Sequence, residues 1–361
     1  MGGTRAAAWP LIRRDLGLSY AQIGLVLAVP GLVGSALDPL IGAAADTMRR
    51  RAVFVAGGVA VWISIVLSAG AVGFWTLLLA LAVGYPASGA FVSVAQATLM
   101  DREPAQRERN MARWTLVGSF GYVGGPVLLA TAAWIGLGWR GALAVLAVVA
   151  LPLLVVAARI RHPRPAEDAT LGRSVRFALL ALRRREVVRW LVMLELADLL
   201  GDVFHGFLAL YFVDVAGVSP TEAALGVGVW TVTSLAGDWL LLRVLDRVGG
   251  LVHLRATAAV ALAAYPGFLL APGVAAKLVF VALLGLLNSG WYAIPKARLY
   301  DELHGRSGAA VAVCGIGGLG GSFVPLALGV IAGSIGLGAT MWALLAAPVA
   351  LLVLVPRERG G

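Results

Sequence analysis

Two stretches of the sequence, 200 residues apart, decide how this chain folds. The first is DPLIGAAADTMRRR, residues 38–51, and the second is DWLLLRVLDRVGG, residues 238–250. Each places one aspartate inside an apolar run, a second aspartate eight residues later, and arginine within three residues of the second aspartate. Because only 13% of the residues are charged, this arrangement at one fixed offset indicates a duplicated fold.

Other residues obey the same 200-residue shift. The matching pairs are Gly17-Leu18-Ser19 with Gly217-Val218-Ser219, Asp101 with Asp301, Gly118 with Gly318, and Gly121 with Gly321. On this register the apolar run at 188–213 corresponds to positions −12 to 13. We therefore expect the first half to lack most of its first helix, with residues 1–16 as its tail and the following loop, through either a misassigned start codon or a real truncation.

The composition places these repeats in a membrane. Of the 361 residues, 60% are apolar and the mean hydropathy is +0.89, whereas soluble domains are about 45–50% apolar. A soluble enzyme, a disordered regulator and a disulfide-stapled module are excluded, the last because Cys314 is the single cysteine. Since about 20 helical residues cross a bilayer, the sequence predicts eleven spans, near residues 20–44, 52–72, 74–98, 112–136, 139–158, 188–213, 221–244, 253–271, 275–299, 307–333 and 337–356.

The basic residues set the orientation. Of the 29 lysines and arginines, 24 fall in alternate loops, as expected for loops on the cytoplasmic side. This distribution predicts a cytoplasmic C-terminus in a bacterial inner (plasma) membrane, and it explains the net charge of +10 without a nucleic-acid partner.

The repeat also predicts the domain organisation. We expect an all-α polytopic protein with two pseudo-symmetric six-helix bundles, at residues 1–158 and 188–356, and a cytoplasmic tail at 357–361. Between the bundles lies a linker, 159–187, whose Leu171, Val175, Leu179 and Leu182 share one helical face among arginines. Such a basic amphipathic helix is expected to lie on anionic membrane lipids, although a site for a regulatory partner is the alternative.

The segment at 38–51 resembles the signature of the major facilitator superfamily, in which a glycine, an aspartate four residues later and a basic cluster follow the second span. Residues 246–250 resemble its degenerate second copy. The resemblance implies two six-helix halves and secondary transport by alternating access. An acid beside arginines at a helix end can form a contact in one state and release it in the other, so we predict a gate. The alternative is a solvated, topogenic charge cluster. The predicted gating residues are Asp38, Gly42, Asp46, Arg49, Arg50, Asp238, Asp246 and Arg247.

Another segment, Gly121-Tyr122-Val123-Gly124-Gly125-Pro126, resembles a fifth-span motif of proton-coupled exporters. Glycines four residues apart also allow close helix packing, and proline allows a bend. Gly121, Gly125 and Pro126 are therefore assigned to helix packing. The fourth-span arginine that such exporters carry is absent from residues 74–98.

The most informative cluster follows the linker. Glu195, Asp198, Asp202 and His205 fall within an arc of about 80° on one helix, and the two aspartates lie about 13 and 20 Å into the bilayer. A charge there costs at least about 2.5–3.5 kcal/mol, so these acids should line a cavity or pair with buried bases. Clustered, buried carboxyls hold protons more readily than solvated ones, and we therefore predict a site for protons or substrate. The other candidate contacts are Asn288, Trp291 and Tyr292.

Together these patterns predict a secondary transporter of a small organic solute, with a cationic solute, proton coupling and export favoured. The alternatives are a metabolite uptake permease of the same fold and an inactive or partner-dependent membrane protein. A membrane-embedded enzyme is disfavoured because the four histidines form no paired metal-binding motif. No cofactor or metal is expected, and no phosphate-binding loop for ATP occurs.

Overall fold

The computed structural model describes residues 14–18, 20–46, 50–160, 171–303, 307–321 and 324–356, and residues 4, 8, 11 and 12. These residues are helical apart from short connections, and no strand occurs among them. The described positions between Thr4 and Leu16 are helical, and Ala8 and Ile12 are buried beside Ile65 and Leu77.

The helices are numbered in chain order. They are α1 (Tyr20–Ala45), α2 (Arg50–Ala69), α3 (Phe74–Ser88), α4 (Val94–Arg102), α5 (Arg107–Trp134), α6 (Gly138–Ala158), α7 (Leu171–Ala181), α8 (Arg185–Ala197), α9 (Phe204–Asp214), α10 (Pro220–Val244), α11 (Gly250–Leu270), α12 (Val274–Leu287), α13 (Ala293–Glu302), α14 (Ser307–Gly321), α15 (Val324–Ile335), α16 (Leu337–Thr340) and α17 (Ala346–Leu354). Short 3₁₀ turns occupy Pro104–Gln106 and Met341–Leu345.

The predicted spans and the helices agree. Within the described part of the chain, eight helical segments are long and apolar enough to cross a membrane, and three shorter apolar helices join them. Together they fall in the eleven regions that the apolar runs mark. The prediction of an all-α polytopic membrane fold is confirmed.

Two spans contain a π-helical turn, at Gly89–Ser93 and at Leu199–Val203. A third span is interrupted at residues 288–292, between α12 and α13. The turn at 89–93 and the interruption at 288–292 occupy nearly equivalent positions in the 200-residue repeat. Irregular turns in helices often occur at functional sites. Two of these three irregularities, at 199–203 and 288–292, lie in the second half of the chain, which makes that half the first place to look for a functional site.

The start of α10 shows how local sequence sets a helix boundary. Ser219 Oγ accepts a hydrogen bond from Glu222 N at 3.3 Å, and Glu222 Oε2 accepts one from Ser219 N at 2.9 Å. This reciprocal cap satisfies two amides that the helix leaves free. The hydrogen bonds from Ser219 lower the pKa of the Glu222 carboxyl below its ordinary value.

The chain forms two compact units. Unit 1 contains residues 1–104, 120–184 and 303–319, and unit 2 contains residues 105–119, 185–302 and 320–361. The segments 105–119 and 303–319 each join the unit formed mainly by the other half of the chain, and the repeat makes them equivalent. The predicted domain limits, which follow the repeat rather than these units, remain a prediction.

The core of unit 2 is aromatic. Phe204 packs edge-on against Trp230, Tyr265 and Phe268, with ring centroids 5.0 to 5.6 Å apart. Lys277 Nζ donates to the carbonyls of Phe268 at 2.9 Å and Leu269 at 3.1 Å. This buried ammonium therefore binds the last carbonyls of α11, where the helix dipole favours a cation.

The linker contains the helix α7, which packs against α1 in unit 1. Ala178 and Ala181 are buried, whereas Leu179 and the basic Arg176 and Arg183 are exposed. The side chains of residues 171–175 lie outside the described part of the molecule.

Candidate functional site

The acidic side chains of the first span in unit 2 lie around a π-helical turn. The Asp198 carbonyl accepts hydrogen bonds from Asp202 N at 3.0 Å and from Val203 N at 3.1 Å, so one extra residue is accommodated in this turn. The Asp198 carboxylate is close enough to those of Asp202 and Glu195 for their charges to interact, and His205 interacts similarly with Asp202. The structure therefore brings together all four residues predicted on this face.

Gly201, inside the same turn, lies close to both Asp198 and Asn288. A Cβ placed on Gly201 would lie 3.6 Å from Asp198 Oδ1 and 4.0 Å from Asn288 Nδ2. Asn288 directly follows α12. The interruption of that span therefore places the side-chain amide of Asn288 next to the helix face that carries Glu195, Asp198, Asp202 and His205. We refer to Glu195, Asp198, Asp202, His205 and Asn288 as the acidic site.

Two atoms of the acidic site have unused hydrogen-bonding capacity. Asn288 Oδ1 and His205 Nε2 are buried and have no hydrogen-bond partner among the residues that the structure describes. Leaving a buried polar atom unpaired costs about 1–3 kcal/mol. A ligand that donates hydrogen bonds would satisfy Asn288 Oδ1 and the neighbouring carboxylates, and it would also satisfy His205 Nε2 when that nitrogen carries no proton. Among the described residues, no three histidine, cysteine, aspartate or glutamate side chains are arranged so that they could hold a metal ion.

Glu195 occupies the end of the acidic site nearest α13. Its carboxylate lies within electrostatic range of Lys296, which is 7% exposed. A Cβ on Gly321 would collide with the Glu195 carboxylate, so glycine at the end of α14 makes room for it. The repeat pairs Gly321 with Gly121.

Trp291 and Tyr292, which the sequence groups with Asn288, have different surroundings. Trp291 is 1% exposed and its Nε1 donates to Thr257 Oγ1 at 3.0 Å, so its polar atom is used within the protein. Tyr292 is 46% exposed, and the Lys296 ammonium lies 5.8 Å from its ring centroid. Asn288, by contrast, lies at the acidic site beside Gly201.

Three ion pairs join the first turn of α5 to α13 and to the turn that follows α10, all within unit 2. The pairs are Arg107 with Asp301 at 2.5 Å, Arg109 with Asp246 at 2.9 Å, and Glu108 with Arg298 at 2.7 Å. Glu108 also accepts a hydrogen bond from the amide of Gly250, at the positive N-terminus of α11. We call these three ion pairs the latch.

The latch involves one predicted gating residue, Asp246. Arg247 is exposed and makes no ion pair among the described residues. Asp238 lies further along α10 and is 7% exposed. Its Oδ2 accepts a 2.7 Å hydrogen bond from Ser119 Oγ of α5, so a second polar contact connects the same two helices inside the membrane span.

The other predicted gating residues lie in unit 1. Arg50 is 4% exposed and contacts Asp101 Oδ2 at 2.6 Å, Asp46 Oδ1 at 3.6 Å and the Ala45 carbonyl at 2.6 Å. Gly42 is buried on the same helix as Asp46. Arg49 lies outside the described residues. Arg50 therefore serves two carboxylates at the junction of α1, α2 and α4.

Asp38 lies deeper in α1 than Asp46. A Cβ at Gly89 or at Gly315 would collide with its side chain, so two glycines give Asp38 its space. Asp38 and its repeat partner Asp238 thus each contact a neighbouring helix at a small residue, glycine in one case and serine in the other.

The three residues predicted for helix packing lie on α5 in unit 1. Gly125 is buried, whereas Gly121 and Pro126 are exposed. A Cβ on Gly121 meets no other described atom within 4 Å. In this conformation Gly121 therefore makes no close helix contact.

Sequence reasoning missed several of these contacts. Glu108 and Arg298 were visible only as loop charges, and Ser119 had no distinguishing pattern. The available signals were Asp301, which the repeat pairs with Asp101, and the glycine pair at residues 249–250 in the second motif copy, because Gly250 is where the Glu108 carboxylate approaches.

The fold and these charged membrane helices define a class: a polytopic helical transporter with internally repeated halves. The sequence profile of the Major Facilitator Superfamily matches residues 3–325, and the chain belongs to this family. It is therefore an integral membrane transporter rather than an enzyme.

Individual relatives support this assignment. The chain is 28% identical over 355 residues to the probable nitrate/nitrite transporter NarK2 of Mycobacterium tuberculosis, an alignment that covers 89% of this chain and 84% of the relative. The fold is similar to that of the transporter FucP in its outward conformation, with a TM-score of 0.82, 16% identity, and coverage of 100% of this chain and 95% of FucP. The human organic anion transporter MFSD10 is also similar, with a TM-score of 0.67 and 16% identity over 98% of this chain and 89% of that one.

Proposed function

We propose that this protein is a proton-coupled secondary transporter that moves a small organic solute across a bacterial inner membrane by alternating access, with export as the favoured direction. The observation that carries the proposal is the acidic site in unit 2. Its carboxylates lie in a membrane span where charge is costly, and they surround a π-helical turn beside which Asn288 Oδ1 and His205 Nε2 have no hydrogen-bond partner among the described residues.

The chemistry of the acidic site favours a solute that donates hydrogen bonds. Asp198 and Asp202 are acceptors when ionised, and Asn288 Oδ1 and His205 Nε2 lack partners among the described residues. A protonated amine offers several donors and a positive charge, whereas an inorganic anion would be repelled by three carboxylates. We therefore infer a cationic amine as the first substrate class, and a polyol as the second.

Proton coupling follows from the same carboxylates. Binding of a cationic solute is favoured when they are ionised, and protonation favours release of that solute. Competition of this kind between a proton and a substrate for one site links the two fluxes in opposite directions. It supports exchange of external protons for an internal solute, which is export.

The latch supplies the other requirement of alternating access, a contact that differs between states. We propose that its three ion pairs lie on the cytoplasmic side, next to the basic loops, and that they break when the site opens to the cytoplasm. In unit 1, the ion pairs of the buried Arg50 with Asp46 and Asp101 are proposed to fix the cytoplasmic ends of α1, α2 and α4 to one another.

An uptake permease is the second candidate function. FucP is described as a fucose:proton symporter and NarK2 as a probable nitrate/nitrite transporter, so solutes of both kinds are realistic substrates for the fold. A polyol would suit Asn288 Oδ1 and His205 Nε2, because its hydroxyls both donate and accept hydrogen bonds. A nitrate-like anion would need cationic residues that the acidic site lacks, apart from Lys296 beside Glu195.

A panel of solutes in proteoliposomes distinguishes these functions. Vesicles that contain a trapped pH-sensitive dye receive primary amines, quaternary amines, polyols, nitrate or nitrite, and proton movement is recorded. Amine exchange predicts that an amine trapped inside drives protons inward. Uptake by symport predicts inward proton movement only when the solute is added outside. If nitrate or nitrite caused proton movement and none of the amines or polyols did, the proposed substrate class would be contradicted.

A further inference from the structure

The interruption between α12 and α13 lies between the acidic site and the latch. Asn288, at its start, reaches Gly201 of the acidic site. Arg298 and Asp301, on α13 beyond its end, belong to the latch. A displacement at the acidic site can therefore be transmitted along this span to the latch only through residues 288–292.

The interruption contains a residue in the left-handed backbone region. Gly290 has a φ of +83°, a backbone region that side chains other than glycine rarely adopt. A Cβ at this position would also lie 2.9 Å from Ile294 Cδ1 and 3.3 Å from atoms of His253 and Leu241. The turn is therefore closely packed by its neighbours on α10, α11 and α13.

Two hydrogen bonds, one donated by α11 and one accepted by it, hold the turn on either side of Gly290. His253 Nε2 lies 3.1 Å from the Ser289 carbonyl oxygen, and because a carbonyl only accepts, Nε2 must carry the proton. Trp291 Nε1 donates to Thr257 Oγ1 at 3.0 Å. Thr257, one helical turn after His253, in turn donates to the His253 carbonyl at 3.0 Å.

These contacts are buried. Ser289 is 6% exposed, Thr257 8% and Trp291 1%. Breaking a buried hydrogen bond without replacement costs about 1–3 kcal/mol, so the pair of bonds makes the interruption stiff. We call His253, Thr257 and Trp291 the clamp.

We propose that the clamp makes α12 and α13 move as one lever, so that a change in the acidic site shifts the equilibrium of the latch. His253, Thr257 and Trp291 are thus positioning residues that touch neither solute nor ion pair. The inference rests on the proposed function, because it assumes that the acidic site and the latch are coupled. It assigns that coupling to three residues that are not members of the latch ion pairs.

Spin labels on the latch test the clamp without any solute. Cysteines replace the exposed Gln106 and Val248, which flank the two sides of the latch, in a Cys314→Ser background. Pulsed electron–electron double resonance then measures the distance between the two labels and gives the fraction of molecules with the longer distance, in which the latch is open. Asp198→Asn, which removes one charge from the acidic site, is compared in the intact and in the clamp-deficient protein.

With the clamp intact, Asp198→Asn is expected to change the ratio of long to short distances at least fivefold. In the His253→Ala and Thr257→Val backgrounds the same substitution is expected to change it less than twofold. His253→Gln, which keeps an N–H donor, should restore most of the response. Thr257→Val preserves volume, so it remains informative if His253→Ala fails to fold.

The outcomes separate the two proposals. An equal response in the intact and clamp-deficient proteins would overturn the role of the clamp and leave the proposed transport cycle standing. No response in either protein would overturn the coupling of acidic site and latch that the proposed function requires, and the clamp with it.

Discussion

Glu108 Oε1 lies 2.7 Å from Arg298 Nε, and the same carboxylate accepts a hydrogen bond from the Gly250 amide. One side chain of α5 thus holds both the start of α11 and the side of α13. Glu108 is the member of the latch with the most contacts to the second half of the chain, and its neighbours Arg107 and Arg109 complete the set.

Removing the charge of Glu108 should open the latch. For Glu108→Gln we expect about a tenfold increase in the fraction of long distances between spin labels at 106 and 248, since the ion pair with Arg298 is lost and the Gly250 amide no longer donates to a charged group, a hydrogen bond that contributes about 1.5–3 kcal/mol. Gly250→Ala should act in the same direction, because its Cβ would collide with the Glu108 carboxylate. Arg247→Gln, at an exposed arginine of the same region, is the control and should change nothing.

Arg50 should be essential for the stability of unit 1. Arg50→Gln leaves Asp46 and Asp101 close together with less compensation, and disrupting a buried ion pair costs about 3–5 kcal/mol. Equilibrium unfolding in mixed micelles measures this cost. The neighbouring Arg51 is exposed and donates to the Ala158 carbonyl at 3.1 Å, so Arg51→Gln should cost less than about 1 kcal/mol. Equal losses for the two variants would contradict the assignment.

The contact between Ser119 and Asp238 should stabilise unit 2. Ser119→Ala removes the donor of the 2.7 Å hydrogen bond to a carboxylate that is 7% exposed, and we expect a loss of about 1–3 kcal/mol in the free energy of unfolding. The control is Ser334→Ala, because the exposed Ser334 hydroxyl donates only to the carbonyl of Ile331. Its loss should stay within about 0.5 kcal/mol.

Glycine should be required at residue 290. Gly290→Ala forces a Cβ into a crowded site at positive φ, and such strain costs about 1–3 kcal/mol. Gly228 of α10 has no atom within 4 Å of an added Cβ, so Gly228→Ala should be neutral or stabilising by about 0.5–1 kcal/mol. Thermal unfolding of both variants in one detergent gives the comparison, and a neutral Gly290→Ala would count against a rigid interruption.

The spans could be predicted because apolar length alone determines them. The run at 275–299 shows where this stops, since composition marks one span whereas the structure contains two helices and a turn. Serine and glycine are ordinary residues of membrane helices, so Ser289 and Gly290 did not indicate that the helix is interrupted there. The acidic face was predictable from the helical spacing of residues 195–205. Its approach to Asn288 depends on tertiary packing at Gly201, which no local pattern encodes.

The latch was only partly predictable for a similar reason. The repeat identifies Asp246 and Asp301 as special, but it does not identify their partners. Arg107 and Arg109 belong to a basic loop that the positive-inside rule explains without any partner. Their pairing with the second half of the chain follows from the inclusion of residues 105–119 in unit 2, which is a property of the fold.

In the proposed transport cycle, the carboxylates of the acidic site couple proton movement to solute movement. The most direct measurement is proton flux driven by a trapped amine in proteoliposomes that contain the wild-type protein, Asp198→Asn, Asp202→Asn or Asp214→Asn. Asp214 is an exposed carboxylate at the end of the same span and serves as the matched control. We predict that Asp198→Asn abolishes coupled proton flux, that Asp202→Asn reduces it at least tenfold, and that Asp214→Asn retains it. Coupled flux that persists in both Asp198→Asn and Asp202→Asn would contradict the account.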